Sequence, residues 1–312
     1  MRKKLGIIGA GNVGATLALF AVNSGLCDVV MFDIVEGMPQ GKALDILQNT
    51  VVLGIKANII GTNNLEDLSG SDIIVITAGL ARKPGMRRKD LLMANADIVG
   101  GIVKKLSSQC PDAIYIVVTN PMDVMAYLTL AISGVGRQRV LGMGGILDSS
   151  RFKTFISMEL GVAPKDIETL VLGGHGLYMV PLVRFTTVKG IPLSKWLSKE
   201  KIEALVQRTR EGGAEIVSLL KTGSAYYAPA QSTFEMVKAI ILDEKRILPC
   251  SVYLDGEYGA KDVFNGVPVI LGKQGLEKII ELELTDEEKQ AFANSTEEVS
   301  NMIKILKEEG KI

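Results

Sequence analysis

The sequence predicts an α/β protein with a doubly wound parallel sheet in its N-terminal half and a mixed α/β domain after it. Short apolar runs recur along the first 145 positions, as the buried strands of a parallel sheet do. Longer segments with helical spacing separate these runs, and this strand–helix alternation is typical of doubly wound folds. A glycine-rich turn joins the first predicted strand to the first predicted helix.

The elements follow one another in this alternating order. Strands are predicted at 5–8, 29–32, 73–77, 114–118 and 167–172. Helices are predicted at 15–22, 41–48, 91–106 and 148–160. A final helix begins at the capping-box pair Thr285 and Glu288, and its apolar face holds Phe292, Val299, Ile303 and Leu306. The strand–helix alternation changes near residue 145. This change predicts one domain at 1–145 and a second domain at 146–312, packed tightly against the first.

Composition excludes several classes of protein. The 312 residues are 47% hydrophobic, enough for a sizeable core, so a disordered chain is excluded. Basic and acidic residues number 35 each, which gives no overall attraction to nucleic acid or to an anionic membrane. No apolar run approaches the roughly 18 residues of a membrane span. Three scattered cysteines favour a reducing cytoplasm over disulfides or zinc, and one histidine, His175, leaves no histidine-rich metal site.

The glycine-rich turn has the spacing of a dinucleotide-binding turn. It follows a strand, opens a helix and consists of Gly9, Ala10, Gly11, Asn12, Val13 and Gly14. Free N–H groups and the helix dipole at such a position favour a pyrophosphate, although a ligand-free glycine turn is the alternative. Asp33 ends the next predicted strand, 19 residues after Gly14, close to the spacing of an acid that binds the adenosine ribose. Its charge would repel a 2′-phosphate, so NAD is favoured over NADP.

Three further segments place charged or titratable residues after predicted strands or on helices. Residues 81–90 hold five basic side chains, which is also typical of a solvated loop. Asp148 and Arg151 are three residues apart and share a helix face, as a surface ion pair would. His175 lies in a glycine-flanked turn, where it is either structural or a proton carrier.

Together these segments make the chain resemble the lactate/malate dehydrogenase family, and within it the lactate-dehydrogenase-like bacterial group of malate dehydrogenases, over essentially its whole length. The matching positions are 9–14, 33, 81–88, 119–121, 147–152, 173–176 and 221–225. The resemblance implies a Rossmann NAD-binding domain followed by a catalytic domain. It also implies the reversible NAD-dependent oxidation of the dicarboxylate (S)-malate to oxaloacetate, a tricarboxylic acid cycle reaction, by a cytoplasmic homo-oligomer, a tetramer or a dimer.

The resemblance also implies the catalytic roles. His175 is the proton donor and acceptor, and Asp148 orients its ring and favours the protonated form. Arg151 binds the carboxylate next to the reacting carbon, and Arg88 polarises the carbonyl oxygen. Arg82 binds the second carboxylate.

The remaining implied contacts lie on the cofactor side. Asn120 contacts the substrate and the nicotinamide, and the cofactor site is further lined by Asn95, Val118 and Thr119. One position departs from the pattern: the family commonly has an Asp two residues after the catalytic histidine, where this chain has Leu177. The missing carboxylate predicts an altered turn around His175 or an altered pKa.

Two alternative functions stay open. A lactate or other 2-hydroxy-acid dehydrogenase is the first, and Arg82 argues against it because a guanidinium facing a methyl group would lack a partner. A catalytically silent NAD-binding protein is the second, and the Leu177 departure is what keeps it open.

Overall fold

The computed structural model describes residues 2–80 and 87–312. Predictions that fall on residues 81–86, including the role of Arg82, lie outside the described residues. Within those ranges no helix combines the length and the apolar character that a bilayer crossing requires. The same residues include no cluster of three or more His, Cys, Asp or Glu side chains suited to a metal ion.

In the described part of the chain, six parallel strands form the centre of the fold and confirm the doubly wound sheet. They are β1 (Lys3–Ile8), β2 (Cys27–Phe32), β3 (Ile59–Thr62), β4 (Ile73–Ile76), β5 (Ile114–Val117) and β6 (Val140–Gly142). Their order is β3-β2-β1-β4-β5-β6, so the winding reverses between β1 and β4. Ligands of such sheets bind beyond the carboxyl ends of the strands at that reversal.

Helices connect these strands and cover the sheet. In the N-terminal half they are α1 (Asn12–Ser24), α2 (Met38–Val52), α3 (Arg88–Gln109) and α4 (Met122–Ser133). The first three, and α5 (Gly145–Leu160), each begin three residues before the predicted start. None of these four N-termini has a side-chain cap among the described residues, so the sequence lacks the usual signal for a helix start there.

The C-terminal half adds helices and antiparallel strands. The helices are α6 (Lys199–Leu220), α7 (Tyr227–Ile241) and α8 (Asp286–Glu308). The long strands are β12 (Arg246–Asp255), β13 (Lys261–Gly272) and β14 (Gly275–Ile279). The short strands are β7 (Ile167–Glu168), β8 (Val171–Leu172), β9 (Val180–Pro181), β10 (Thr187–Val188) and β11 (Ile191–Pro192). The single strand predicted at 167–172 is therefore wrong: β7 pairs with β10, and β8 pairs with β9.

The two halves share one sheet and one core. Ser251 of β12 pairs with Gly142 of β6, so the antiparallel strands continue the parallel sheet. The main apolar core contains buried side chains from both halves, and a smaller one lies around Phe152 of α5. The predicted capping box of α8 is present, and the predicted apolar face of that helix is buried.

Candidate active site

The glycine turn after β1 leaves the first turn of α1 open to an anion. Gly9 has a φ of 102°, a conformation that favours glycine. A Cβ on Gly14 would lie 1.9 Å from the Gly9 carbonyl oxygen, so α1 approaches β1 this closely only without a side chain there. A Cβ on Gly11 would meet nothing within 4 Å, so this backbone is accessible. The unpaired N–H groups of the first helical turn therefore fit a pyrophosphate.

Asp33 borders this turn from the end of β2. Its Oδ2 accepts a hydrogen bond from the Ala10 N–H at 2.7 Å, and its Oδ1 accepts one from the Val35 N–H at 3.0 Å. A carboxylate offers about four lone-pair positions, so capacity remains for the hydroxyls of a ribose. Lys42 of α2, which the sequence predictions missed, donates to the Ala10 carbonyl at 2.7 Å and places a cation beside the turn.

Asn95 of α3 ties together the segments that follow β4 and β5. Its side chain accepts from the Leu80 N–H at 2.7 Å and donates to the Asn120 carbonyl at 2.6 Å. The Thr119 hydroxyl donates to the Ala78 carbonyl at 2.7 Å. Asn95 and Thr119 are buried, whereas Asn120 is exposed. The first two residues fix this edge of the sheet through their hydrogen bonds, and Asn120 is the exposed residue of the three.

Three other predicted cofactor residues lie at the same edge with different exposure. Asn12 is exposed in the first turn of α1 and Val13 beside it is partly buried. Val118 follows β5, is partly buried and packs against the main core. Their predicted contacts with the cofactor stay predictions.

The turn that carries His175 lies between β8 and β9 and is anchored through its backbone. The Gly173 N–H donates to the Gly266 carbonyl of β13 at 2.9 Å, and the return bond measures 3.2 Å. The Gly174 N–H donates to the Ser295 hydroxyl of α8 at 2.8 Å. Two elements distant in sequence therefore fix the residues that precede His175.

Asp148 lies between the imidazole of His175 and the guanidinium of Arg151. Its Oδ2 is 2.8 Å from Nδ1 of His175, and its Oδ1 accepts from Nη1 of Arg151 at 3.1 Å. Asp148 is 1% exposed, whereas the side chains of His175 and Arg151 are 15% and 13% exposed. The contact at Nδ1 leaves Nε2 for proton exchange. We refer to these three residues, which the sequence predictions had grouped, as the His175 cluster.

The pKa of His175 lies above its ordinary value of 6.5. Burial alone would lower this pKa, but the negative charge of Asp148 and its hydrogen bond to the ring outweigh burial. The positive charge of Arg151 opposes the increase, and Asp123 of α4 adds to it. The surroundings of the ring therefore favour its protonated form, the form that donates a proton in general acid catalysis.

Arg151 lies against two glycines in the middle of α6. A Cβ on Gly212 would be 3.1 Å from Arg151 Cδ, and one on Gly213 would be 3.5 Å from Nη2. Side chains at these positions would crowd the guanidinium. The sequence predictions missed this role, although a glycine pair inside a long helix is a signal because each costs roughly 1 kcal/mol relative to Ala.

Arg88, the first residue of α3, is not part of the His175 cluster in this structure. Its Nη1 donates to Glu298 of α8 at 3.1 Å, and its side chain is 64% exposed. The predicted contact with a carbonyl oxygen therefore requires release from Glu298. Arg87 forms two hydrogen bonds with Asp90 of the same helix, at 2.9 and 2.8 Å.

The Leu177 departure falls on an exposed part of the turn. Leu177 and Tyr178 are 55% and 50% exposed. A carboxylate at position 177 would therefore need no buried partner. Leu177 takes no part in the anchoring of His175, which depends on the backbone contacts of Gly173, Gly174 and His175 itself.

Asp123 is a functional candidate that the sequence predictions missed. It is 4% exposed, its Oδ2 accepts from the His175 backbone N–H at 2.8 Å, and its Oδ1 accepts from the Ser251 hydroxyl at 2.6 Å. Burial raises its pKa. An acid in the otherwise apolar start of α4 was the available signal.

The cysteines do not contribute a nucleophile. All three are buried and free. Burial raises the pKa of Cys27 and of Cys250 to about 12, which disfavours the reactive thiolate.

Two family models match the chain. The model of the lactate/malate dehydrogenase NAD-binding domain matches residues 3–142, and that of the lactate/malate dehydrogenase α/β C-terminal domain matches residues 146–309. Together they include both the glycine turn and the His175 cluster.

Similar proteins agree with these matches. The chain is 54% identical to the malate dehydrogenase of Heliobacterium modesticaldum over 97% of its length and 98% of that relative. It is also 54% identical to the malate dehydrogenase of Desulforudis audaxviator, over 98% of this chain and 99% of the other.

Solved structures extend the agreement to the fold. A malate dehydrogenase of Cryptosporidium parvum superposes with a TM-score of 0.96 at 46% identity, covering 99% of this chain and all of the other. A lactate dehydrogenase of the same organism, complexed with lactic acid and nicotinamide adenine dinucleotide, superposes with a TM-score of 0.95 at 42% identity, covering 98% of both chains. With both family models matched in order and relatives above 50% identity along nearly the full length, the chain belongs to the lactate/malate dehydrogenase family.

Proposed function

We propose that the chain catalyses the reversible NAD-dependent oxidation of (S)-malate to oxaloacetate. The observation that carries the proposal is the Asp148 carboxylate shared by His175 and Arg151, at 2.8 and 3.1 Å. It places a proton carrier beside a cation suited to a substrate carboxylate. The malate dehydrogenases at 54% identity support a dicarboxylate as that substrate.

The residues of the His175 cluster then have distinct tasks. In malate oxidation, neutral His175 accepts the hydroxyl proton at Nε2, and Asp148 stabilises the imidazolium that results. In oxaloacetate reduction, the protonated ring returns that proton to the oxygen. Arg151 holds the substrate carboxylate, and Arg88 polarises the carbonyl oxygen after it leaves Glu298.

The residues around the glycine turn fit a nicotinamide dinucleotide. The open backbone at Gly11 and the uncapped start of α1 suit its pyrophosphate, and Asp33 suits the hydroxyls of its adenosine ribose. The nicotinamide supplies or accepts the hydride when it is bound. NAD is the proposed form because the Asp33 carboxylate would face the 2′-phosphate of NADP. Asn95, Val118, Thr119 and Asn120 complete the proposed site.

Assembly and location are part of the same proposal. The domains are assigned to 1–145 and 146–312, and the chain forms a homotetramer or dimer. Exposed apolar side chains on α2, including Leu44, Val51 and Val52, support self-association because such surfaces usually mark interfaces. Free, buried cysteines support a reducing, cytoplasmic environment.

The first test measures turnover. The chain is expected to oxidise NADH rapidly with oxaloacetate, and His175→Asn is expected to lower kcat by about 10²–10⁴-fold because the proton carrier is lost. NADH binding, followed by fluorescence, serves as the control and should change little in the variant. Preference for pyruvate would instead identify a lactate dehydrogenase, and NADH binding without turnover would identify a silent protein.

The second test concerns pH. Oxaloacetate reduction uses protonated His175, so kcat/KM should fall as pH rises through a pKa above the ordinary 6.5. Leu177→Asp adds a nearby carboxylate, which favours imidazolium and should extend reduction to higher pH. Leu177→Asn is the matched control without the charge. Identical pH profiles for the two variants would show that position 177 has no electrostatic link to His175.

The third test concerns the second carboxylate. Arg82 is the proposed residue for the distal carboxylate, and Arg87, which is bonded to Asp90 in this structure, is the alternative. Arg82→Gln should lower kcat/KM for oxaloacetate by at least about tenfold, the equivalent of 1.4 kcal/mol, and raise relative activity on pyruvate. Arg87→Gln should leave the ratio of kcat/KM for oxaloacetate to kcat/KM for pyruvate within about twofold of the wild-type ratio, because exposed ion pairs contribute little. The reverse pattern would assign the contact to Arg87.

The fourth test concerns cofactor choice. Wild type should prefer NAD, and Asp33→Ser should shift the NADP-to-NAD ratio of kcat/KM upward by about tenfold because the carboxylate no longer repels the 2′-phosphate. Asp33→Asn is the control for the hydrogen bond from Ala10, since it keeps an acceptor of similar shape. If both variants retain the wild-type ratio, Asp33 does not select the cofactor.

A further inference from the structure

A second carboxylate approaches His175 from the opposite half of the fold. Asp123 lies in the first turn of α4, and its Oδ2 accepts the backbone N–H of His175 at 2.8 Å. Its Oδ1 accepts the Ser251 hydroxyl of β12 at 2.6 Å. Among residues 2–80 and 87–312, no cation forms an ion pair with it. Both hydrogen bonds therefore come from neutral donors.

A buried carboxylate without a cation is costly, since desolvation disfavours the charged form. A neutral acceptor could also accept the hydrogen bond from the Ser251 hydroxyl. That contact therefore does not explain why an acid lies in the apolar start of α4. The position of the acid relative to the active site is informative instead. Asp123 follows Asn120 by three residues, so the same loop end that presents Asn120 also reaches the turn of His175.

We propose that Asp123 is a positioning residue for the proton transfer, holding the backbone of His175 while Asp148 holds its ring. The inference rests on the proposed function, because it concerns the proton carrier of that reaction. One carboxylate from each half of the chain then defines where the imidazole lies. Because α4 also follows the cofactor-side residue Asn120, Asp123 sets the histidine relative to the sheet edge where the dinucleotide is proposed to bind.

The packing around the turn allows this contact and few others. A Cβ on Gly174 would lie 2.9 Å from Val299 of α8 and 3.4 Å from the Asp123 carboxylate, so the turn fits closely between α4 and α8. Among the residues that the structure describes, the charged groups that face His175 are Asp123 of α4, and Asp148 and Arg151 of α5, while α8 contributes the neutral Ser295 hydroxyl nearby. Loss of Asp123 would free the His175 N–H and remove one negative charge from this set.

The test compares Asp123→Ala with Asp123→Asn. The Ala variant loses the acceptor, so kcat for oxaloacetate reduction should fall by at least about tenfold, since small displacements of catalytic groups are costly. The Asn variant keeps an acceptor of the same shape, so kcat should recover to within about fivefold of wild type. Thr129→Ala is the matched control, because this buried hydroxyl of α4 donates only to the Met125 carbonyl of its own helix.

A second readout does not depend on turnover. His175 is the one histidine of the chain, so tag-free protein gives a single imidazole titration by NMR. In Asp123→Ala the pKa of this imidazole should fall, because a negative charge is lost and the ring is less firmly held beside Asp148. Thr129→Ala should lower the melting temperature without moving this pKa or kcat.

The outcomes separate the inference from the proposed function. An unchanged imidazole pKa and kcat in Asp123→Ala would overturn the positioning role, as would equal kcat losses in the Ala and Asn variants. Equal kcat losses in Asp123→Ala and Thr129→Ala would reduce Asp123 to a structural residue. A wild type that turns over neither oxaloacetate nor pyruvate would refute the proposed function, while the titration would still decide whether Asp123 acts on His175.

Discussion

The Asp148 carboxylate lies almost wholly out of water, and both His175 and Arg151 bind it there. Removing an unpaired carboxylate from water costs several kcal/mol, so each partner must be held in place. The start of α5 meets this requirement by approaching the His175 turn closely. A Cβ on Gly144 would lie 3.4 Å from His175 Cβ, and one on Gly145 would lie 2.8 Å from the Val171 carbonyl oxygen. Side chains at these two positions would push α5 away from the His175 turn, so the two glycines help to keep Asp148 beside His175.

The site belongs to both halves because the sheet is continuous. The bridge between β6 and β12 sets the C-terminal strands beside the parallel sheet. From this frame, β13 and α8 fix Gly173 and Gly174 through their backbones. Asp123 of α4 accepts the backbone N–H of His175, the next residue of the turn. The position of His175 thus depends on contacts that are far apart in sequence, and the glycine turn of α1 lies at the reversal of the same sheet.

Local patterns predicted four of the six parallel strands, β1, β2, β4 and β5, but neither β3 and β6 nor the long-range pairings. Buried strands such as β4 appear as unbroken apolar runs, whereas the edge strand β3 mixes buried and exposed positions and gave no clear signal. The starts of α1, α2, α3 and α5 were placed late because none has a capping side chain. At the site, the resemblance to the family grouped His175, Asp148 and Arg151. Asp123 and the pair Gly212–Gly213 were missed because their roles depend on packing between distant helices.

The charges of the described site residues determine how many further cations a dicarboxylate substrate needs, and Leu177 is relevant to this balance because it is neutral. Asp148 and Arg151 offset each other, and protonated His175 adds one positive charge. Asp123, whose pKa burial raises, adds at most one negative charge. A dianionic substrate therefore needs further cations, and Arg82 and Arg88 are the residues proposed to supply them. Leu177 carries no charge, so the carboxylate that the family commonly has two residues after its catalytic histidine is absent here. The same absence removes one group that would favour imidazolium, and the protonation of His175 then depends chiefly on Asp148.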